Sequence, residues 1–185
     1  MALVERLKGI LFEPRTEWPK IAADTETVQS IYTSWIMILA AIGPLILLLT
    51  LDALGLGVRV AIAAYVNALI STAVLALIVD VLTTSFGGTK DYVAALKLVA
   101  YSVTPVWVAQ VALIFPFLGM IVMLAAAIYA SYLFFLGAPV VKKCAADKAV
   151  PFTIVVLLCA IVLSYVVRLA FGGGVSHGAV LPPVS

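Results

Sequence analysis

Asp80 is a carboxylate within an otherwise apolar stretch, and Lys97 is an ammonium at the head of the next one. In lipid, such a group costs about 2.5–3.5 kcal/mol at mid-depth, so it either finds a partner or serves a proton or ion path. Both readings apply to Asp80: it pairs with Lys97 across a helix interface, or it is a proton or ion site. Asn67 and Ser71 lie deeper in the same apolar stretch as Asp80, and Gln110 lies toward the far end of the stretch that Lys97 heads. They suit hydrogen bonding between helices, worth about 0.6 kcal/mol each on average, or the lining of a path. At ~100° per residue, Asn67 and Asp80 stand about 140° apart on an ideal helix, which argues against one straight polar stripe containing both. Tyr101, Ser102 and Thr104 surround Pro105. They either satisfy the carbonyl that the proline leaves free or line a small cavity.

Enzymatic constellations are missing from the sequence. The single histidine, His177, sits in a Gly- and Pro-rich C-terminal stretch with no cysteine or carboxylate beside it. No metal site, catalytic group or cofactor is expected. Ser85-Phe86-Gly87-Gly88 lacks the glycine spacing and the Lys-Ser/Thr ending of a phosphate loop. No basic cluster interleaved with aromatics points to nucleic acid. Cys144 and Cys159 fall in different compartments of the expected topology, so they should not form a disulfide, and Cys144 is expected to be an unmodified thiol.

The elements that carry these residues follow from hydropathy. Hydrophobic residues make up 65% of the 185-residue chain and charged residues 11%, against about 45–50% and 25% in soluble domains. From Leu98 to Val141, 44 residues pass without a charge. As one helix they would measure roughly 66 Å, about twice a ~30 Å hydrocarbon core, so this run crosses twice. With the remaining apolar runs the reading is an all-α integral membrane protein. Its five spans fall at about 31–51, 60–83, 96–115, 119–140 and 149–168, preceded by a segment 1–30 and followed by a flexible outer tail, 171–185. Kinks are expected at Gly43-Pro44 and at Pro105. Thr89 is the expected cap of the third helix.

Nine of the eleven cations, among them Arg6, Lys8, Lys90, Lys97, Lys142 and Lys143, fall on one side of these spans, and only Arg59 and Arg168 on the other. The positive-inside rule then places the N-terminus in the cytoplasm and the C-terminus outside. No cleaved signal peptide is expected, because residues 1–24 lack an apolar core region. Leu3, Leu7, Ile10 and Leu11 recur at helical spacing, with Glu5, Arg6 and Lys8 elsewhere on the wheel. That pattern predicts an amphipathic helix in the membrane interface, either a partner-binding or curvature-sensing element or an anchor that packs under the bundle, with Trp18 at headgroup level on a second short turn.

Several short motifs occur in a fixed order: Pro14-Arg15-x-Glu17-Trp18-Pro19-x-Ile21, Ala40-Ala41-Ile42-Gly43-Pro44, Phe86-Gly87-Gly88 and Ala95-Leu96-Lys97 through Tyr101-Ser102-Val103-Thr104-Pro105. Phe115-Pro116-x-Leu118-Gly119 and Tyr132-Leu133-Phe134-Phe135-Leu136-Gly137-x-Pro139 follow. In that order they resemble the bacterial branch of the Yip family, the Rab-interacting membrane proteins, over nearly the whole chain. The resemblance implies five spans, a cytoplasmic N-terminus and a multi-pass protein of the bacterial inner membrane. Rab-type GTPase binding is not carried over, since the long N-terminal domain of the eukaryotic relatives, with its Asp-Leu-Tyr-Gly-Pro motif, is missing from this sequence.

The expected function is a non-enzymatic scaffold that organises membrane or binds a membrane-protein partner, with self-association through small-residue helix faces. The alternative is a small channel or transporter for an ion, proton or small solute, using Asp80, Asn67, Gln110 and the Pro105 kink.

Overall fold

In lipid every backbone N–H and C=O must be satisfied within its own segment, so an apolar run of this length has little choice but a helix. The computed structural model describes residues 3–51 and 57–172, and every regular element among them is helical. Two short helices, α1 (Leu3–Phe12) and α2 (Pro14–Ala23), precede five long ones. These are α3 (Val28–Thr50), α4 (Gly57–Thr83), α5 (Tyr92–Ala109), α6 (Pro116–Val141) and α7 (Ala149–Gly172). Tight 3-10 turns extend α4 through Thr84–Phe86 and α5 through Gln110–Ile114. All five long helices are long and apolar enough to cross a membrane. The chain is a multi-pass membrane protein.

Local chemistry explains the boundaries. Glu13 precedes Pro14, which disfavours helical backbone at Glu13 and separates α1 from α2. Thr27 and Ser30 cap α3 reciprocally: the Ser30 N–H donates to Thr27 Oγ1 at 3.1 Å, and the Thr27 N–H to Ser30 Oγ at 2.9 Å. The cap of α5 is Asp91, whose carboxylate accepts the Ala94 N–H at 3.1 Å. Thr89, the expected cap, instead turns its N–H to the Lys142 carbonyl at 2.9 Å. These capped turns carry the helices beyond the apolar runs, so they start a few residues ahead of the bounds read from hydropathy.

Within α3 a π turn occupies Tyr32–Ile36, and regular helix breaks again at Ala41, three residues ahead of Pro44. Pro105, by contrast, lies inside a continuous α-helix, and the geometry tightens only after Ala109. The loop 52–56 and the tail 173–185, including His177, lie outside the described residues.

The centre of the bundle is α5. Half of its most apolar window is buried within the protein, against a third or less for every other span. Leu96, Leu98, Val99, Ala100 and Tyr101 fill the core with Trp35 and Ile36 of α3, Val79 of α4, Leu133 and Ala138 of α6, and Phe152 and Val156 of α7. The outer helices show apolar stripes at four-residue spacing: Ile62, Val66 and Ile70 on α4, and Met120, Leu124 and Ile128 on α6. These are the lipid-facing sides.

One loop residue carries backbone strain. Lys143, just past the end of α6, has φ of +53°, a left-handed conformation that glycine adopts at no steric cost. Lys143→Gly is therefore expected to raise stability by a few tenths to about 1 kcal/mol, read as a shift in thermal unfolding in detergent. Lys143→Val should lower it.

Candidate functional site

The apolar face of α1 turns toward protein. Ile10 is fully buried, and Leu3, Leu7 and Leu11 are partly buried against the core. The helix packs as an anchor against the bundle, one of the two uses that its amphipathic pattern allows. Trp18, expected at headgroup level, is 1% exposed. Its indole occupies the space over Gly137 of α6, where an added Cβ would meet the Trp18 ring at 2.7 Å. It also stands edge-on to Tyr101 of α5, with centroids 6.5 Å apart. The glycine is the physical reason: without its side chain, α6 admits a tryptophan into the protein interior.

Around that indole, three cations meet three carboxylates. Arg6 of α1 is 7% exposed, although its neighbours on the wheel placed it on the polar side. It contacts Glu17 at 3.3 Å, bonds to Asp24, and holds its guanidinium 5.9 Å from the centroid of the Tyr101 ring. Lys20 pairs with Glu17 at 2.9 Å. Lys97, 5% exposed, reaches from α5 to the end of α2 and donates to the carbonyls of Ile21, at 3.0 Å, and Asp24, with Glu26 at 3.7 Å. Those carbonyls are the ones a helix end leaves without partners, and the helix dipole favours a cation there. The Tyr101 hydroxyl donates to Glu26 at 3.2 Å. Trp35, in the π turn, packs tilted against Tyr101 with ring centroids 4.6 Å apart and donates its N–H to Thr104 at 3.1 Å. Together these contacts clamp α1 and α2 to the bundle.

Asp80 is elsewhere. Its partner is Lys142 at the end of α6, 2.7 Å away, and the pairing with Lys97 does not occur. The reason is depth along the chain: the end of α2 occupies the space beside Lys97, whereas Lys142 closes over Asp80. The same Asp80 oxygen accepts the Asp91 N–H at 2.7 Å, and Lys142 also donates to the Asp91 carbonyl at 2.7 Å. Lys142 is fully buried and Asp80 is 4% exposed. Gly88 lets the loop approach, since a Cβ there would meet the Lys142 carbonyl at 2.7 Å. Asp80 thus ties α4, the loop before α5, and α6 into one knot.

The remaining polar candidates are dispersed. The Ser71 hydroxyl donates to Asn67 at 2.9 Å on the same helix. Gln110 lies against Gly43, where any Cβ would overlap its amide, so the glycine ahead of Pro44 accommodates a side chain from α5. Ser102 lines a cavity between α5, α6 and α7. Burial pushes the Cys144 thiol up, outweighing the opposite pull of the Lys142 ammonium. Its thiolate fraction at neutral pH is correspondingly small. Maleimide should label Cys144 about tenfold or more slowly than a cysteine introduced at exposed Lys143, measured in the folded protein at pH 7.

Sequence reasoning missed Arg6, Glu17, Asp24, Glu26, Trp35, Gly137 and Lys142 as members of these clusters. A signal existed for several of them. Glu17-Trp18, Lys97, Tyr101 and Gly137 all belong to the ordered motifs, which lie far apart in sequence and meet in the clamp.

A family model described as Yip1 domain matches residues 8–167. The chain belongs to the Yip1 domain family. No curated protein and no solved structure matches it. The matched span of this Yip1 domain begins within α1 and runs into α7, so it includes both the clamp and the Asp80–Lys142 knot.

Proposed function

We propose that this Yip1 domain protein is a non-enzymatic membrane scaffold that binds a protein partner through the outer side of its α1–α2 hairpin. The observation that carries this reading is where the charges are spent. Asp80, Lys97 and Lys142 are all consumed in internal contacts that hold helices in place. The hairpin meanwhile presents Phe12, 79% exposed, among the exposed charges of Glu5, Lys8, Glu13 and Arg15. A large apolar side chain ringed by charges suits a protein contact, with the apolar group as anchor and the charges as a selective rim. In this reading the hairpin faces the cytoplasm, as the distribution of Lys and Arg favours, in a bacterial inner membrane. Self-association through small-residue helix faces is part of the same proposal.

Two measurements test it. A photoreactive amino acid at position 12 should trap a discrete protein adduct in native membranes, and adducts with lipid alone would count against the reading. Proteoliposomes carrying wild type or Asp80→Asn should show no pH- or ion-dependent flux. Flux in wild type that Asp80→Asn abolishes would establish the transport alternative instead.

A further inference from the structure

The five serine and threonine hydroxyls on the described parts of α5, α6 and α7 do not all behave alike. Thr104, Ser131, Thr153 and Ser164 each donate to the carbonyl four residues back, at 2.7–3.0 Å. That is the usual arrangement for a hydroxyl on a helix in lipid. Ser102 is the exception: it is 4% exposed, and its Oγ has no hydrogen-bond partner. Ser102 also lines a cavity of about 470 Å³ between the three helices, with Leu75 of α4 contributing to the wall. Apart from Ser102, Ser131 and Ser164, the lining is aliphatic or aromatic. On the open side, Leu157 and Ile161 of α7 are exposed.

The geometry points to a binding site for a bilayer-soluble ligand, a hydrocarbon chain or ring system that carries a carbonyl-type acceptor for the Ser102 hydroxyl. Volume, polarity and depth support this occupant independently of the scaffold reading. A concave, mostly apolar space of this size with a few placed polar groups is the usual form of a small-molecule site between helices. A whole helix would not fit in it. Depth excludes an ordinary phospholipid as the source of the acceptor. Ser102 lies six residues inside the apolar span that begins at 96, roughly 9 Å along the helix from that end. Ester carbonyls stay at headgroup level, roughly 9 Å short of that hydroxyl. The acceptor must therefore sit well along the chain of the ligand or on a ring buried with it.

Two photoreactive 16-carbon fatty acids test the site with the full chain in phosphatidylcholine vesicles. Each carries a diazirine near mid-chain, and only one has a ketone beside it. In wild type the ketone probe should label peptides of α5, α6 and α7 about five- to tenfold more than the plain probe, the advantage that one buried hydrogen bond confers. Ser102→Ala should abolish that preference while leaving labelling by the plain probe intact. Ala160→Leu, which fills the cavity mouth, should reduce labelling by both. Equal labelling by the two probes in wild type would mean generic lipid contact only and would overturn the proposal. So would a preference that survives Ser102→Ala. Cysteines at Ala130 and Ala160 that cross-link to a second copy and shield the cavity from both probes would assign this face to a contact between copies and overturn the proposal.

Discussion

Asp80→Leu is expected to destabilise the protein by about 3–5 kcal/mol, because it leaves the Lys142 ammonium buried without a counter-charge. The environment makes the loss large. Lys142 is fully buried, and its remaining neighbour in this knot is a neutral acceptor, the Asp91 carbonyl. Asp80 also satisfies the Asp91 N–H at the start of α5, so the substitution orphans a backbone donor as well. Asp80→Asn should fall between wild type and Asp80→Leu, since its amide oxygen can still accept one of the two bonds while the charge is lost. The double variant Asp80→Leu/Lys142→Met is expected to recover most of the stability, as replacing both members of a buried pair by apolar groups is often neutral. Unfolding free energies of the two single variants and the double variant, measured in detergent micelles, close the cycle. A loss below about 1 kcal/mol in Asp80→Leu would show that the ion pair does not hold the loop before α5 against α6.

Trp18→Ala should have the second large effect, about 3 kcal/mol, toward the lower end of the range for truncating a buried tryptophan. Two features set the size. The indole fills the space over Gly137 and stands against Leu98 and Tyr101, so its removal leaves a cavity between α2, α5 and α6. Its Nε1 is buried with no partner, so truncation also relieves an unsatisfied donor and offsets part of the cost. For the same reason Trp18→Phe should cost less than about 1.5 kcal/mol, as an apolar replacement of nearly the same shape. The loss is expected to be local before it is global. With the wedge gone, α1 and α2 should become sensitive to protease at concentrations that leave the spans intact. Gly137→Val should produce the same sensitivity from the opposite side, by filling the space that the indole needs. Resistance equal to wild type in both variants would refute the clamp as the attachment of the hairpin.

The spans were legible because their cause is one-dimensional. An apolar run long enough to cross the bilayer must become a helix whatever its neighbours are, since lipid offers no partner to a backbone N–H. Charges at the turns between runs were legible for the same reason. Pairings were not. Asp80 and Lys97 stand on consecutive helices at similar distance from a shared turn, which made them the natural pair from sequence. The fold instead inserts the end of α2 beside Lys97 and brings Lys142 from α6 over Asp80.

The N-terminal segment marks the boundary between the two kinds of information most sharply. Its periodicity at Leu3, Leu7, Ile10 and Leu11 determined that it would be an amphipathic helix, because the spacing of side chains on a helix is local geometry. Whether that face would meet lipid or protein was decided only by tertiary structure. Gly137 on α6, more than a hundred residues later in the chain, vacates the space that Trp18 fills, and Lys97 on α5 supplies the ammonium that closes the open carbonyls of α2. An apolar face has the same periodicity against a bilayer as against a bundle. What distinguishes them is a shaped space and a placed charge, and both come from helices distant in sequence.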